Sequence, residues 1–191
     1  MTLQDLFVLA KRAFHLAGHR EYVIVGSLSV LGISEDNDVP EEMSISNDID
    51  CYTKDDPERI RDLVDALGEK SEFFSKHHFY LDPVTPALLT LPDGWEARMH
   101  KVERDSIRLW FLDANDAAIS KYARSEPRDL RWIRAGAAAG IVSMPTVRTR
   151  LKTTPFLDAD EERRVRTRID ADTAWFNAVK AGRITPNFGI K

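Results

Sequence analysis

Apolar residues follow two different periods along the first half of the chain. Runs with the 3.6-residue period of an amphipathic helix begin near residues 3 and 57. Short runs rich in β-branched and aromatic residues, or alternating with polar ones, have the pattern of strands. We therefore predict, in chain order, a helix over 3–17, a strand over 22–25, a short helix over 28–33, a loop over 34–46, a strand over 48–53, a helix over 57–67, a strand over 79–81, a loop over 83–96 with one short strand near 87–91, and a strand over 107–111.

The second half of the chain has helical periodicity only. Caps and breakers divide it into four predicted helices: one that begins near Asp113 or Asn115 and ends near 121, and then 125–140, 144–155 and 158–180. The pattern predicts an α/β (α+β) fold, in which a small mixed sheet flanked by helices precedes a C-terminal helical segment. We place the α/β core at 1–112 and the helical segment at 113–191.

Composition narrows the class of protein. The chain has 191 residues, 43% of them apolar, one cysteine and a net charge of −4. This excludes a disulfide framework and a zinc site built on several cysteines, and it argues against a protein that coats nucleic acid by bulk charge. We find neither a secretory signal nor a run of about 18 apolar residues, so we expect a cytoplasmic protein without a membrane contact.

The charges are unevenly distributed. Residues 35–72 contain 14 acidic and 4 basic residues, whereas residues 121–168 contain 12 basic and 6 acidic residues. An acidic and a basic segment in one small protein suggest different binding roles for the two halves.

Asp48 and Asp50 are the most informative residues in the acidic segment. Alternate residues of a strand point to the same face, so these two carboxylates would lie together. Two carboxylates held side by side favour a divalent cation such as Mg²⁺, although solvated carboxylates on an edge strand are the alternative interpretation.

Gly26 and Ser27 follow the first predicted strand and precede a short helix. A glycine here lets a phosphate approach the backbone, and the serine hydroxyl can donate to it. A Gly-Ser pair alone is usually only a turn. The order of apolar strand, Gly-Ser, short helix, polar loop and Asp-Ile-Asp is more specific.

This order of elements resembles the DNA polymerase β-like nucleotidyltransferase superfamily. Lys121 and the segment Arg128-Asp129-Leu130 are similar to the lysine and Arg-Asp helices of its AbiEii and MenT toxin-type branch. Segments 73–84 and 91–96 are similar to uncharacterised bacterial members.

The resemblance implies a role for each matching residue. Asp48 and Asp50 would be catalytic metal ligands, with Asp82 the candidate for the third carboxylate that the superfamily often has. Gly26 and Ser27 would bind a nucleoside triphosphate, Lys121 would contact its phosphates, and Asp129 would position it or complete the site. Arg128 belongs to a basic stripe over 121–134 that we assign to triphosphate or nucleic-acid phosphates.

The implied reaction moves a nucleoside monophosphate from an NTP to a hydroxyl group with the help of Mg²⁺ or Mn²⁺. The acceptor would be RNA, such as a tRNA end, or a protein, and a toxin–antitoxin or phage-defence setting with an antitoxin partner is conceivable. One alternative is a catalytically degenerate protein that keeps the fold as a nucleic-acid-binding or scaffold module. Another is a different phosphate-chemistry enzyme that uses the same carboxylates.

Overall fold

The computed structural model describes residues 1–33 and 39–186. Its strands are β1 (Glu21–Ile24), β2 (Asp48–Thr53), β3 (Tyr80–Pro83), β4 (His100–Arg104) and β5 (Ile107–Phe111). Its α-helices are α1 (Leu3–Ala17), α2 (Glu41–Ser44), α3 (Val64–Leu67), α4 (Glu72–His77), α5 (Ala114–Arg124), α6 (Pro127–Ala138), α7 (Met144–Arg150) and α8 (Ala159–Lys180). Short 3₁₀ segments span Ser27–Gly32, Pro57–Leu63, Pro86–Leu88, Trp95–Arg98 and Leu151–Thr153.

The contacts within the chain define two units. One comprises Met1–Val39, Ser44–Leu89 and Glu96–Asp113 and contains the sheet. The other comprises Pro40–Met43, Thr90–Trp95 and Ala114–Lys191 and is helical.

The first unit is built on a mixed five-stranded sheet in the order β3-β2-β1-β5-β4. The central strand β1 pairs antiparallel with β2 and parallel with β5, and β2 pairs parallel with β3. Three of the four β1 residues are buried, which explains why its sequence is almost entirely apolar. The predicted fold class, a small mixed sheet flanked by helices and followed by a helical segment, is confirmed.

Helix α1 begins and ends where its caps predict. Thr2 and Asp5 form a reciprocal capping box at its start, and Gly18 adopts a left-handed conformation (φ 75°) at its end. Leu6, Leu9 and other residues of one face are buried in the core. The predicted helix over 3–17 is therefore confirmed.

The second unit packs its helices around large buried side chains. Trp132 and Tyr122 are almost fully buried, and the indole Nε1 of Trp132 donates to the carbonyl of Met43 at 3.1 Å. Three carboxylates are buried with an arginine beside each: Asp116 with Arg150 at 2.8 Å, Asp129 with Arg124 at 2.6 Å, and Asp172 with Arg134 at 2.7 Å. Several arginines of the basic segment thus neutralise buried acids of the same unit. The division of the chain between residues 112 and 113 stays a prediction.

Three local predictions need correction, and two elements were missed. The strand near 87–91 is wrong: Pro86 begins a 3₁₀ turn instead, and Leu88 is 82% exposed. The predicted helix over 57–67 is a 3₁₀ helix as far as Leu63 and becomes α-helical only in α3. The predicted loop over 34–46 contains the one-turn helix α2, and its residues 34–38 lie outside the described residues. Helix α4 and strand β4 were not predicted.

No helix among the described residues is both long enough and apolar enough to cross a membrane.

Candidate active site

Three aspartates meet on one face of the sheet. Asp48, Asp50 and Asp82 each offer a carboxylate oxygen, and these oxygens all lie within 4.8 Å of one another. All three side chains are partly exposed, so a ligand from solvent can reach them. We call this group the carboxylate triad.

The parallel pairing of β2 and β3 produces the triad. Asp50 lies opposite Asp82 in the register, and Asp48 lies opposite Tyr80. On β2 the residues between and after the aspartates, Ile49 and Cys51, are buried on the other face. The alternation predicted from the sequence therefore holds, and pairing with β3 adds the third carboxylate.

Gly26 lies against the triad. Its backbone has φ 64° and ψ −147°, a conformation that residues other than glycine rarely adopt. A Cβ atom here would come within 2.8 Å of the carboxylate carbon of Asp50. The amide of Val25 donates to the carbonyl of Asp50 at 2.9 Å, which holds the two strands together at this point. Glycine is needed here because the Asp50 carboxylate occupies the space of a side chain.

Ser27 begins the 3₁₀ segment directly after Gly26. The buried hydroxyl of Ser29 donates to the carbonyl of Gly26 at 2.9 Å and so fixes the turn. At the start of β2, the hydroxyl of Ser46 donates to Oδ1 of Asp48. Neither Ser29 nor Ser46 was predicted as a site residue, and the signal for Ser46 was its place two residues before Asp48.

Tyr80 borders the triad on β3. Burial raises the pKa of its phenol, and the negative charges of Asp48, Glu69, Asp82 and Asp50 add to that effect. The ring of Phe74 on α4 meets the Tyr80 ring edge-on, with 5.1 Å between centroids. Tyr80 is thus an aromatic side chain fixed beside the carboxylates.

The chemistry of the triad fits a hard divalent cation. Mg²⁺ and Mn²⁺ favour carboxylate oxygens, and Mg²⁺ commonly takes only a few protein ligands together with substrate phosphates. Three negative charges within one small site repel one another, and a divalent cation relieves that repulsion. The donor set contains no thiolate or imidazole that would favour a softer metal.

Lys121 and Asp129, two further predicted site residues, pair with each other in the helical unit. Lys121 Nζ lies 3.1 Å from Oδ1 of Asp129, and the two side chains are 4% and 0% exposed. Arg124 makes two further hydrogen bonds to Asp129, at 2.8 and 2.6 Å. Burial favours a raised pKa for Asp129, but the hydrogen bond of Arg124 and the charge of Lys121 outweigh it, and the pKa lies below its usual range.

Arg128 lies on the surface of α6. Its guanidinium contacts Glu126 at 2.8 Å, and its side chain is 56% exposed. Arg134, from the same predicted stripe, pairs with Asp172. The stripe over 121–134 therefore divides into a buried ion-pair cluster around Asp129 and an exposed part that includes Arg128.

Comparison with known proteins identifies the family of the chain. The model of a family described as a nucleotidyltransferase of unknown function, DUF6036, matches residues 2–183. The match covers almost the whole chain, and the protein belongs to this nucleotidyltransferase family. No curated protein and no solved structure gives a significant match.

Proposed function

We propose that the protein is a metal-dependent nucleotidyltransferase that moves a nucleoside monophosphate from an NTP to a hydroxyl of RNA, such as a tRNA end, or of a protein. The observation that carries this proposal is the carboxylate triad, with Gly26 packed against Asp50 in a chain whose family is described as a nucleotidyltransferase. We further propose a cytoplasmic protein of the AbiEii and MenT type, acting in toxin–antitoxin or phage defence with an antitoxin partner.

Asp48, Asp50 and Asp82 would hold the ion, Mg²⁺ or Mn²⁺. When bound, such an ion supplies positive charge for the phosphates and lowers the pKa of a coordinated hydroxyl group. The chain's own part is to hold three carboxylates on a rigid sheet, with Asp50 and Asp82 fixed opposite each other in the register of two paired strands. This arrangement keeps the ligands in position before any substrate arrives.

Gly26 and Ser27 would bind the triphosphate. The Asp50 carboxylate fills the space that a Gly26 side chain would take, so the phosphate contact would come from the Ser27 hydroxyl, a suitable donor to a phosphate oxygen, and from the backbone of the turn. In the reaction the acceptor hydroxyl loses its proton to solvent and its oxygen forms a bond to the α-phosphorus. The bond from the α-phosphorus to the oxygen that bridges it to the β-phosphate breaks, and pyrophosphate leaves.

Lys121 and Arg128 would bring positive charge to the triphosphate, and Asp129 would position the lysine. The 3.1 Å contact between Lys121 and Asp129 supports the positioning role of Asp129. The exposed guanidinium of Arg128 is accessible to an anionic substrate.

The alternative function is a catalytically degenerate nucleotidyltransferase fold that acts as a nucleic-acid-binding or scaffold module. One observation favours it: the Lys121 ammonium is buried and bonded to Asp129, as a purely structural lysine would be. Activity measurements separate the two proposals.

The test is incubation of the purified protein with each labelled NTP, Mg²⁺ or Mn²⁺, and total RNA or total protein. We expect label to enter one of the acceptor pools with the wild type and not with Asp48→Asn or Asp50→Asn. Asp62→Asn is the matched control because Asp62 is exposed and pairs with Arg59 in the same 3₁₀ segment. Equal label with wild type and Asp48→Asn, or no label with any of the NTPs, would favour the degenerate fold.

A further inference from the structure

Ser46 lies outside the triad and contacts one of its carboxylates. Its hydroxyl donates to Oδ1 of Asp48, and its side chain is half-buried just before β2. A hydroxyl that donates to a carboxylate stabilises its charged form and restricts its rotation. The contact is local, two residues apart, yet it acts on a proposed metal ligand.

The backbone around Ser46 is fixed, so the hydroxyl is held in place. The carbonyl of the next residue, Asn47, accepts a hydrogen bond from the amide of Tyr80 at 3.0 Å. This bond extends the pairing between β2 and β3 by one step beyond Asp48. Ser46 therefore sits one residue from an anchored point of the sheet and not in a free loop.

Asp48 gains orientation from this contact. The terminal torsion of an aspartate is broad and roughly two-fold, so the strand alone leaves the carboxylate free to rotate. With Oδ1 held by Ser46, the plane of the carboxylate is set. The Asp50 carboxylate is likewise restricted, by close packing against Gly26.

We propose that Ser46 is a positioning residue that orients the Asp48 carboxylate for metal binding. This inference rests on the proposed metal-dependent function. In this role Ser46 is not itself a ligand of the ion and acts through Asp48. Loss of the hydroxyl should therefore weaken the binding of the ion without disturbing the sheet.

The experiment measures Mn²⁺ binding by the electron paramagnetic resonance signal of free Mn²⁺, without NTP or acceptor. Ser46→Ala is expected to bind Mn²⁺ roughly tenfold to a hundredfold more weakly than wild type, the usual cost of losing a partner of a metal ligand. Ser46→Thr keeps the hydroxyl and is expected to restore binding. Ser75→Ala is the matched control. It removes a hydroxyl on α4 that donates a hydrogen bond to the carbonyl of Ser71, and this variant should bind Mn²⁺ as wild type does.

Ser46→Val separates the hydroxyl from the shape of the side chain, because valine and threonine have nearly the same volume. If Ser46→Val binds Mn²⁺ as tightly as Ser46→Thr, or Ser46→Ala binds as tightly as wild type, the inference is overturned while the metal site stands. If wild type itself binds no more Mn²⁺ than Asp48→Asn, both the inference and the proposed metal site fail. Metal-free thermal unfolding of each variant shows whether a loss of binding comes from a loss of fold.

Discussion

The Asp50 carboxylate occupies the space that a side chain at position 26 would fill, so Gly26 lies directly against it. A Cβ atom on Gly26 would lie 2.8 Å from the carboxylate carbon of Asp50 and closer still to its Oδ2 oxygen. The glycine therefore makes room for a carboxylate of the proposed metal site, next to the turn that we propose to bind phosphate. This relationship links the two sequence motifs that first indicated the function.

Gly26→Ala should disrupt the site more than it disrupts the fold. The backbone conformation alone costs about 1–3 kcal/mol for a residue with a side chain, and the new methyl group would also displace Asp50. We expect strongly reduced Mn²⁺ binding and loss of nucleotide transfer, measured beside urea unfolding.

The matched control is Gly18→Ala. Gly18 also has a positive φ, of 75°, but a Cβ atom there would meet nothing within 4 Å. This variant should lose about 1–2 kcal/mol of stability from its left-handed backbone and keep full Mn²⁺ binding. Retention of Mn²⁺ binding in Gly26→Ala would show that Asp50 is not a ligand or can move without consequence.

Asp82→Asn tests the third carboxylate. A ligand that binds only the folded state raises its stability with concentration, by about 2.7 kcal/mol at a hundred times the dissociation constant. We expect Mn²⁺ to raise the melting temperature of wild type, with a much smaller rise for Asp82→Asn, measured by differential scanning calorimetry. Asp93→Asn, a change in the other unit, is the control. An equal rise in wild type and Asp82→Asn would exclude Asp82 from the metal site.

The sequence predicted the parts of the site that depend on one strand alone. The shared face of Asp48 and Asp50 follows from strand alternation. The turn at Gly26-Ser27 was predicted because the pair comes directly after an apolar run. Asp82 lies close to Asp48 and Asp50 because β2 and β3 pair in parallel. No local sequence pattern specifies that pairing. The resemblance to a known superfamily, and not the periodicity, led to Asp82 as a candidate.

The two missed elements have weak local signals. Strand β4 carries one apolar residue, Val102, between charged neighbours, because it is an exposed edge strand. Its turn into β5 uses Asp105 and Ser106, both with positive φ, without the glycine that usually marks such a hairpin. Helix α4 is six residues long and has no fully buried side chain, so it lacks an apolar stripe.

Asp129→Asn should destabilise the helical unit. The substitution keeps the shape of the side chain but removes the charge that compensates the buried Lys121, which is 4% exposed. Breaking a buried ion pair by changing one partner typically costs about 3–5 kcal/mol. Asp170→Asn removes an exposed pair with Arg148 on the same unit and should cost no more than about 1 kcal/mol. Urea unfolding measures both values, and similar losses would mean that burial of the Asp129 pair is unimportant.

The same pair should make stability depend on pH in the acid range. The pKa of Asp129 is lower in the folded protein than in the unfolded chain, where the pKa of an aspartate is about 3.9. Its stabilising contribution is therefore fully present above that value and is lost as the pH falls through the folded pKa. We expect the difference in unfolding free energy between wild type and Asp129→Asn to be constant above about pH 5 and to shrink below about pH 4. A difference that stays constant down to pH 2.5 would contradict the lowered pKa.

Cys51 should report on the opening of the strand that carries the triad. It follows Asp50 on β2, is 1% exposed and is the one cysteine of the chain. Burial raises the pKa of its thiol, and the charges of Asp50 and Asp82 raise it further, so the reactive thiolate is scarce in the native state. We expect no reaction with a disulfide reagent at pH 8 in the native protein and complete reaction in urea, followed by absorbance.

Any slow labelling of Cys51 in the native protein would require local opening of β2. Mn²⁺ bound to Asp48 and Asp50 should slow this labelling further in wild type but not in Asp48→Asn. Rapid native labelling that Mn²⁺ leaves unchanged would show that the thiol is accessible without any opening of the strand.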